Sequence, residues 1–71
     1  MFKIKDRITL NEHYKNFIGY GVIREVLSTT IIEKEQYYIL KRLSDPGSGL
    51  VFELTCKYVN KNYVTILCQE K

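Results

Sequence analysis

The first ten residues alternate between apolar and other side chains, and this alternation constrains the fold more than any other feature of the chain. A period of two is typical of a β-strand with one buried face, because successive side chains point to opposite sides of a sheet. The apolar face would carry Phe2, Ile4, Ile8 and Leu10, and the opposite face Lys3, Lys5, Arg7 and Thr9. The sequence therefore predicts a first strand over residues 2–10 with basic side chains on its outer face.

A wide polar loop is predicted at residues 11–17, followed by a second strand that two glycines precede. Gly19 and Gly21 would allow an unusual backbone angle or a close approach of two strands. The apolar positions Ile23 and Val26 are three apart, so strict alternation slips by one residue between them. This slip indicates a β-bulge.

A long central hairpin is predicted next, because residues 29–32 are β-branched and residues 37–43 combine tyrosines with aliphatic side chains. The reversal is expected at residues 33–36. A helix over residues 31–43 is the alternative, but this segment contains no alanine, and its isoleucines and adjacent tyrosines favour a strand. The hairpin is therefore the preferred interpretation.

The segment Ser-Asp-Pro-Gly-Ser-Gly at residues 44–49 is the clearest turn in the chain. It leads to a fourth strand over residues 50–56, whose core-facing positions would be Leu50, Phe52, Leu54 and Cys56. Residues 57–62 then predict a short 3₁₀-like turn. The last strand, at residues 63–68, is expected to pair near the first.

Five short strands, a wide first loop and a brief helical turn before the last strand resemble an SH3-like small β-barrel. The positions that resemble the F-x-x-G-D-x-V opening of its KOW-like and Tudor-like members are Phe2, Asp6, Arg7 and Ile8, with Lys5 where glycine is usual. Gly21, Ile23 and Val26 resemble the glycine and apolar positions of their second strand. The resemblance implies one all-β domain over residues 1–71, a five-stranded SH3-like barrel with a short 3₁₀ turn before the last strand.

The end of the chain also resembles one subgroup of this fold. Asn62-Tyr63-Val64 matches the N-Y-V near the end of eukaryotic SH3 domains, but the A-L-Y-D-Y segment and the paired tryptophans of their peptide groove are absent. Recognition of proline-rich peptides is therefore not expected.

The composition fits a small folded domain, since 45% of the 71 residues are hydrophobic and only one is proline. The chain shows neither the apolar segment of a signal peptide nor a run of about 20 apolar residues, so a cytoplasmic location and no membrane partner are expected. The amino-acid composition resembles that of small accessory proteins of bacteria and their phages.

Catalysis and metal binding are not expected. Cys56 and Cys68 are predicted to be reduced core residues rather than a disulfide. His13 is the only histidine and lies far along the chain from both cysteines, which does not fit a zinc site. No nucleophile stands at a recognised spacing from a base, and no glycine-rich loop opens a helix. The sequence therefore predicts no enzyme activity, no metal and no cofactor.

Binding of another protein is the preferred function, as a docking adaptor or a small inhibitor of a larger protein. Six tyrosines and three phenylalanines are more large rings than so small a core can hide. The candidate contact residues are Tyr14, Tyr20 and Tyr37, because tyrosine is enriched at interfaces. The alternative for each is that its ring only caps an end of the barrel.

Two other interactions remain open. The first is single-stranded or structured nucleic acid, with candidate basic residues Lys3, Lys5, Arg7, Lys41 and Arg42. The net charge of only +3 makes a solvated, soluble strand face the competing explanation. The second is a homodimer formed by edge pairing of the last strand, which is largely apolar on both faces.

Overall fold

The computed structural model describes residues 1–66, which form a mostly β fold with one α-helix. The strands are β1 (Arg7–Leu10), β2 (Arg24–Ile32), β3 (Glu35–Arg42), β4 (Val51–Thr55) and β5 (Tyr63–Thr65). A 3₁₀ turn at Glu12–Tyr14 follows β1, and helix α1 (Cys56–Asn62) joins β4 to β5. Cys68 and the predicted end of the last strand lie outside the described residues.

The strands form one antiparallel sheet in the order β4-β3-β2-β1-β5. The predicted return of the last strand to the first is confirmed, with Ile8 opposite Thr65 and Leu10 opposite Tyr63. Within residues 1–66 the sheet is open, with β4 and β5 at its edges, so these strands do not form the closed barrel that the sequence suggested. The connection explains the difference, because α1 stands between the two edge strands in sequence and packs on both of them.

Helix α1 replaces the short 3₁₀ turn predicted at residues 57–62, and that prediction is wrong. Thr55 caps the helix, since its side-chain oxygen accepts a hydrogen bond of 3.2 Å from the backbone N–H of Tyr58. The helix buries Cys56, Val59 and Asn62. A spacing of three keeps these side chains on one side of a helix, so α1 has a continuous face for the core.

The first strand is shorter than predicted because the residues before it form a turn. The backbone N–H of Asp6 donates to Lys3 O at 3.0 Å, and Asp6 Oδ2 accepts from the N–H of Lys3 at 2.8 Å. Lys5 takes a φ of 78° in this turn. Lys3 and Lys5 therefore do not lie on a strand face, and Ile4 is exposed rather than in the core. Of the two predicted apolar positions that precede β1, only Phe2 packs against the core.

The predicted central hairpin is confirmed, and it excludes the helix alternative. Its reversal is tighter than expected, with Glu33 and Lys34 at positive φ values of 48° and 71°. A two-residue turn with positive φ at both positions has a backbone twist that matches the twist of the flanking strands. The predicted bulge is present but lies further along β2, where the register shifts between Val26 and Ser28 and leaves Leu27 as the extra residue.

The core lies between the inner face of the sheet and α1. Its buried residues are Ile8, Leu10, Val26, Tyr38, Leu40, Cys56, Val59 and Tyr63. Phe52 and Leu54 pack against them from β4, as predicted. Leu50 does not, because it precedes β4 and is 61% exposed. The Cys56 thiol is free and buried, which agrees with a reduced core cysteine.

Candidate protein-docking site

Two loops lie side by side at one end of the sheet. One joins β1 to β2 (residues 11–23), and the other joins β3 to β4 (residues 43–50). The backbone N–H of Ile23 donates to Ser44 Oγ at 3.1 Å, and the N–H of Leu43 donates to Ile23 O at 2.8 Å. These two bonds hold the loops together.

A cleft of about 440 Å³ opens between the two loops, and we call it the loop cleft. The first loop contributes Ile18, Gly19, Tyr20, Gly21 and Val22 to its lining. The other loop and the end of β3 contribute Arg42, Ser44, Asp45 and Pro46. The lining thus combines apolar side chains with one charge of each sign.

Three exposed apolar side chains lie close together in the first loop, and two of them, Ile18 and Tyr20, line the loop cleft. Ile18 is fully exposed, and its neighbours Phe17 and Tyr20 are 62% and 41% exposed. Scattered apolar residues on a surface are normal, but three within four positions beside a cleft form a patch that a binding partner can cover.

The backbone holds this patch outwards through a series of turns. The N–H of Phe17 donates to Tyr14 O at 2.8 Å, and the N–H of Tyr20 donates to Phe17 O at 3.0 Å. Gly21 then takes a φ of 89°, which favours glycine. Val22 is buried and anchors the end of the loop. Ile18 therefore lies at the tip of a braced loop.

Arg42 forms part of the opposite wall. Its Nε donates to Ser44 O at 3.4 Å, and its Cδ lies 3.3 Å from the place that a Cβ on Gly47 would occupy. Gly47 also takes a φ of 89°, which favours glycine. The absence of a side chain at Gly47 also allows the Arg42 side chain to approach closely. Asp45, on the same wall, is exposed.

Arg24 lies directly opposite Arg42 in the β2–β3 register, so both start from the same face of the sheet. The guanidinium carbon of Arg24 lies 5.3 Å from the ring centre of Phe52 and 5.6 Å from that of Tyr63. Both distances fit cation–π contacts. Burial raises the pKa of the Tyr63 hydroxyl, and the positive charge of Arg24 offsets part of that rise.

The three tyrosines predicted as contact residues lie in different places. Tyr20 lines the loop cleft. Tyr14 is half-buried against the core and donates its hydroxyl to Asn62 Oδ1 at 2.5 Å, as expected for a ring that closes the core. Tyr37 is half-buried on the outer face of β3, whereas the next residue, Tyr38, is buried on the inner face. Tyr58, which the sequence did not single out, is 47% exposed on α1.

The predicted basic residues do not form one basic surface. Lys5 and Arg7 line the same small cleft, but Asp6 lines it with them. Arg7 and Lys41 both pair with Glu25, one from each side, so a carboxylate lies between them on the outer face. Arg42 projects from the other face and lines the loop cleft. The two lysines of the N-terminal turn lie outside the strand.

Among residues 1–66, no group of three or more histidine, cysteine, aspartate or glutamate side chains is placed to hold a metal ion. None of the helices described there is long and apolar enough to cross a membrane.

The lining of the loop cleft includes Tyr20, predicted as a protein contact, and Arg42, predicted as a nucleic-acid contact, but the sequence did not single out the residues beside them. Phe17 and Ile18 had no signal of their own, because an apolar residue in a loop can equally turn inwards. Arg24 did have a signal in the sequence, because it is a charged residue in a predicted strand, between the apolar residues Ile23 and Val26. No protein-family model, curated protein or solved structure matches this chain, so its function has to be inferred from the loop cleft.

Proposed function

We propose that this protein is a non-enzymatic docking module, an adaptor or a small inhibitor, that binds a larger protein through the loop cleft. One observation carries the proposal: Phe17, Ile18 and Tyr20 are exposed together beside a cleft whose walls are braced. Covering such a patch removes apolar area from water, and a braced backbone loses little entropy on binding.

The arrangement of charges favours a protein over a nucleic acid as the partner. Binding to a phosphate backbone requires several basic side chains on one surface, because each neutralised phosphate releases counterions. On the outer face of the sheet, Arg7 and Lys41 are separated by Glu25. This alternation of charges is typical of opposite-charge pairs that stabilise neighbouring strands, and not of a nucleic-acid-binding surface.

We also propose that the fold is a variant of the SH3-like barrel. The strand order supports this, because the last strand returns beside the first and a helical segment precedes it. In this variant α1 would take the place of the short turn.

The buried thiol supports a role without catalysis. Burial raises the pKa of Cys56, which disfavours the reactive thiolate. His13 is exposed on the 3₁₀ turn after β1, whereas Cys56 is buried at the start of α1. An exposed imidazole and a buried thiol do not resemble a catalytic nucleophile that is hydrogen-bonded to its base.

A matched pair of isoleucine variants tests the proposal. Ile18→Ser changes the loop cleft, and Ile31→Ser changes another exposed isoleucine near the hairpin turn. Both should leave the free energy of unfolding within about 0.5 kcal/mol of the original value, because both side chains are exposed. Immobilised wild type and variants would be incubated with bacterial lysate, with and without nuclease, and retained proteins quantified by mass spectrometry.

We expect wild type and Ile31→Ser to retain the same protein, with or without nuclease, and Ile18→Ser to lose it. Equal retention by Ile18→Ser would contradict the assignment to the loop cleft. Retention that disappears with nuclease would instead favour nucleic acid.

A further inference from the structure

We infer that the loop cleft binds a segment of the partner in which an acidic side chain stands beside an apolar one, and that Arg42 pairs with the carboxylate. This inference rests on the proposed function and names the chemistry of the segment that the site selects. It follows from the two arginines at this end of the sheet.

Arg24 and Arg42 carry like charges, and among residues 1–66 neither side chain has a carboxylate as a hydrogen-bond partner. They are direct cross-strand neighbours, and like charges in that relation repel each other. Nε and Nη1 of Arg24 are buried with no hydrogen-bond acceptor among residues 1–66. Within the same residues, the side chain of Arg42 donates only to Ser44 O, at the long distance of 3.4 Å. A carboxylate at Arg42 would reduce the repulsion between the two cations.

Arg42 is held ready for such a partner. Its backbone N–H donates to Leu50 O at 2.8 Å, and its carbonyl accepts from the N–H of Gly49 at 2.7 Å. Its stem lies against Gly47, which has no side chain to displace it. Because a guanidinium presents its donors in a fixed fork, an arginine with a fixed stem loses little freedom when it binds a carboxylate.

The balance of charge at the cleft also favours an acidic partner. Asp45 is the one acidic residue in the lining, and it is exposed to water, which screens its charge. Arg42 is half-buried, and Arg24 adds a second positive charge in the adjacent strand. The positive charge of Arg42 is therefore less screened by water than the negative charge of Asp45.

The remaining lining specifies what accompanies the carboxylate. Ile18, Tyr20 and Pro46 all line the cleft, so an apolar side chain of the partner can be buried there. A nucleic acid would need several basic side chains along its backbone, whereas Arg42 is the one basic residue in this lining. The combination of an apolar contact and a single arginine therefore fits an acidic peptide segment better than a nucleic acid.

The test is selection of a phage-displayed library of random dodecapeptides on the folded protein. We expect selected peptides to carry Asp or Glu next to an aliphatic or aromatic residue, and to shift the amide resonances of residues 18–22 and 42–45. Arg42→Gln should weaken their binding about tenfold or more, which is the effect of losing a hydrogen bond between charged groups. Arg42→Lys should recover part of it, and raising the salt concentration should weaken the wild type but not Arg42→Gln.

Lys41→Gln is the matched control, because Lys41 is the preceding residue and lies on the opposite face. It should bind the selected peptides as the wild type does. An amide spectrum of each variant establishes that it is folded before binding is measured.

Two results would overturn the inference while leaving the proposed function intact. One is peptides that map to the loop cleft without any preference for acidic residues. The other is equal binding by Arg42→Gln and wild type. If instead no peptide contacts the cleft, and Ile18→Ser retains the same lysate proteins as the wild type, the proposed function itself fails. An oligonucleotide that shifts the cleft resonances where no peptide does would also overturn the inference.

Discussion

Tyr38→Phe should lower the free energy of unfolding, because one buried hydroxyl joins three parts of the fold. Tyr38 lies in β3 and is 1% exposed. Its hydroxyl accepts a hydrogen bond of 3.0 Å from the N–H of Phe2 and donates one of 2.8 Å to Asn60 Oδ1. The N-terminal segment and α1 are therefore both attached to the central hairpin through this oxygen.

The expected magnitude follows from these two bonds. A hydrogen bond contributes about 1 kcal/mol net, and a buried donor left without a partner costs about 1–3 kcal/mol. Asn60 is exposed and can turn to water, whereas the bond from Phe2 is partly buried. We therefore expect a loss of about 1.5 kcal/mol. For a domain of this size, that corresponds to a fall of about 6–12 °C in Tm.

Urea unfolding followed by circular dichroism measures the loss, and Tyr37→Phe is the control. Tyr37 is the preceding residue, and its hydroxyl makes no hydrogen bond to residues 1–66, so its removal should change stability by less than about 0.5 kcal/mol. Exchange of the Phe2 amide hydrogen should become faster in Tyr38→Phe only. Equal stability of the two variants, or unchanged exchange at Phe2, would refute the reasoning.

Three further predictions concern the core, the turns and the effect of pH, each checked by urea unfolding. Leu40→Ala should cost about 2–5 kcal/mol because Leu40 is fully buried, whereas Leu50→Ala should cost less than about 0.5 kcal/mol. Gly47→Ala should destabilise more than Gly21→Ala: both have a φ of 89°, but only at Gly47 would a Cβ meet side chains, the nearest at 3.1 Å. The raised pKa of Tyr63 means that the unfolded chain loses this proton first, so stability should fall as pH rises above about 10. Tyr63→Phe should show a smaller fall, and an identical pH profile would contradict this assignment.

The parts of the fold that could be predicted are those with local signals. The central hairpin follows from β-branched and aromatic residues on both sides of a short polar reversal. The loop at residues 44–49 follows from proline and glycine, whose backbone preferences are independent of the rest of the chain. The pairing of β5 with β1 was predicted from the return of the strand pattern after residues 57–62, and it too was correct.

The errors arose where a polar side chain competes with the strand pattern. At the N-terminus, the Asp6 carboxylate accepts from the N–H of Lys3 and stabilises a turn, although the apolar alternation continues through Ile4. Before α1, the Thr55 hydroxyl caps a helix that begins at the buried Cys56. Asp6 and Thr55 are both visible in the sequence, but a prediction based only on the alternation of apolar residues does not take such polar side chains into account.

The candidate site was only partly predictable because it depends on which loops meet. The bond between Ile23 and Ser44 joins residues that are 21 positions apart, and no local pattern encodes it. Arg24 is different, since a cation at a core-facing position conflicts with the pattern around it. Natural chains tolerate such conflicts mainly at functional sites. Here Arg24 lies opposite Arg42, which lines the loop cleft together with the exposed Ile18, and the acidic, apolar segment that we propose would cover this end of the sheet.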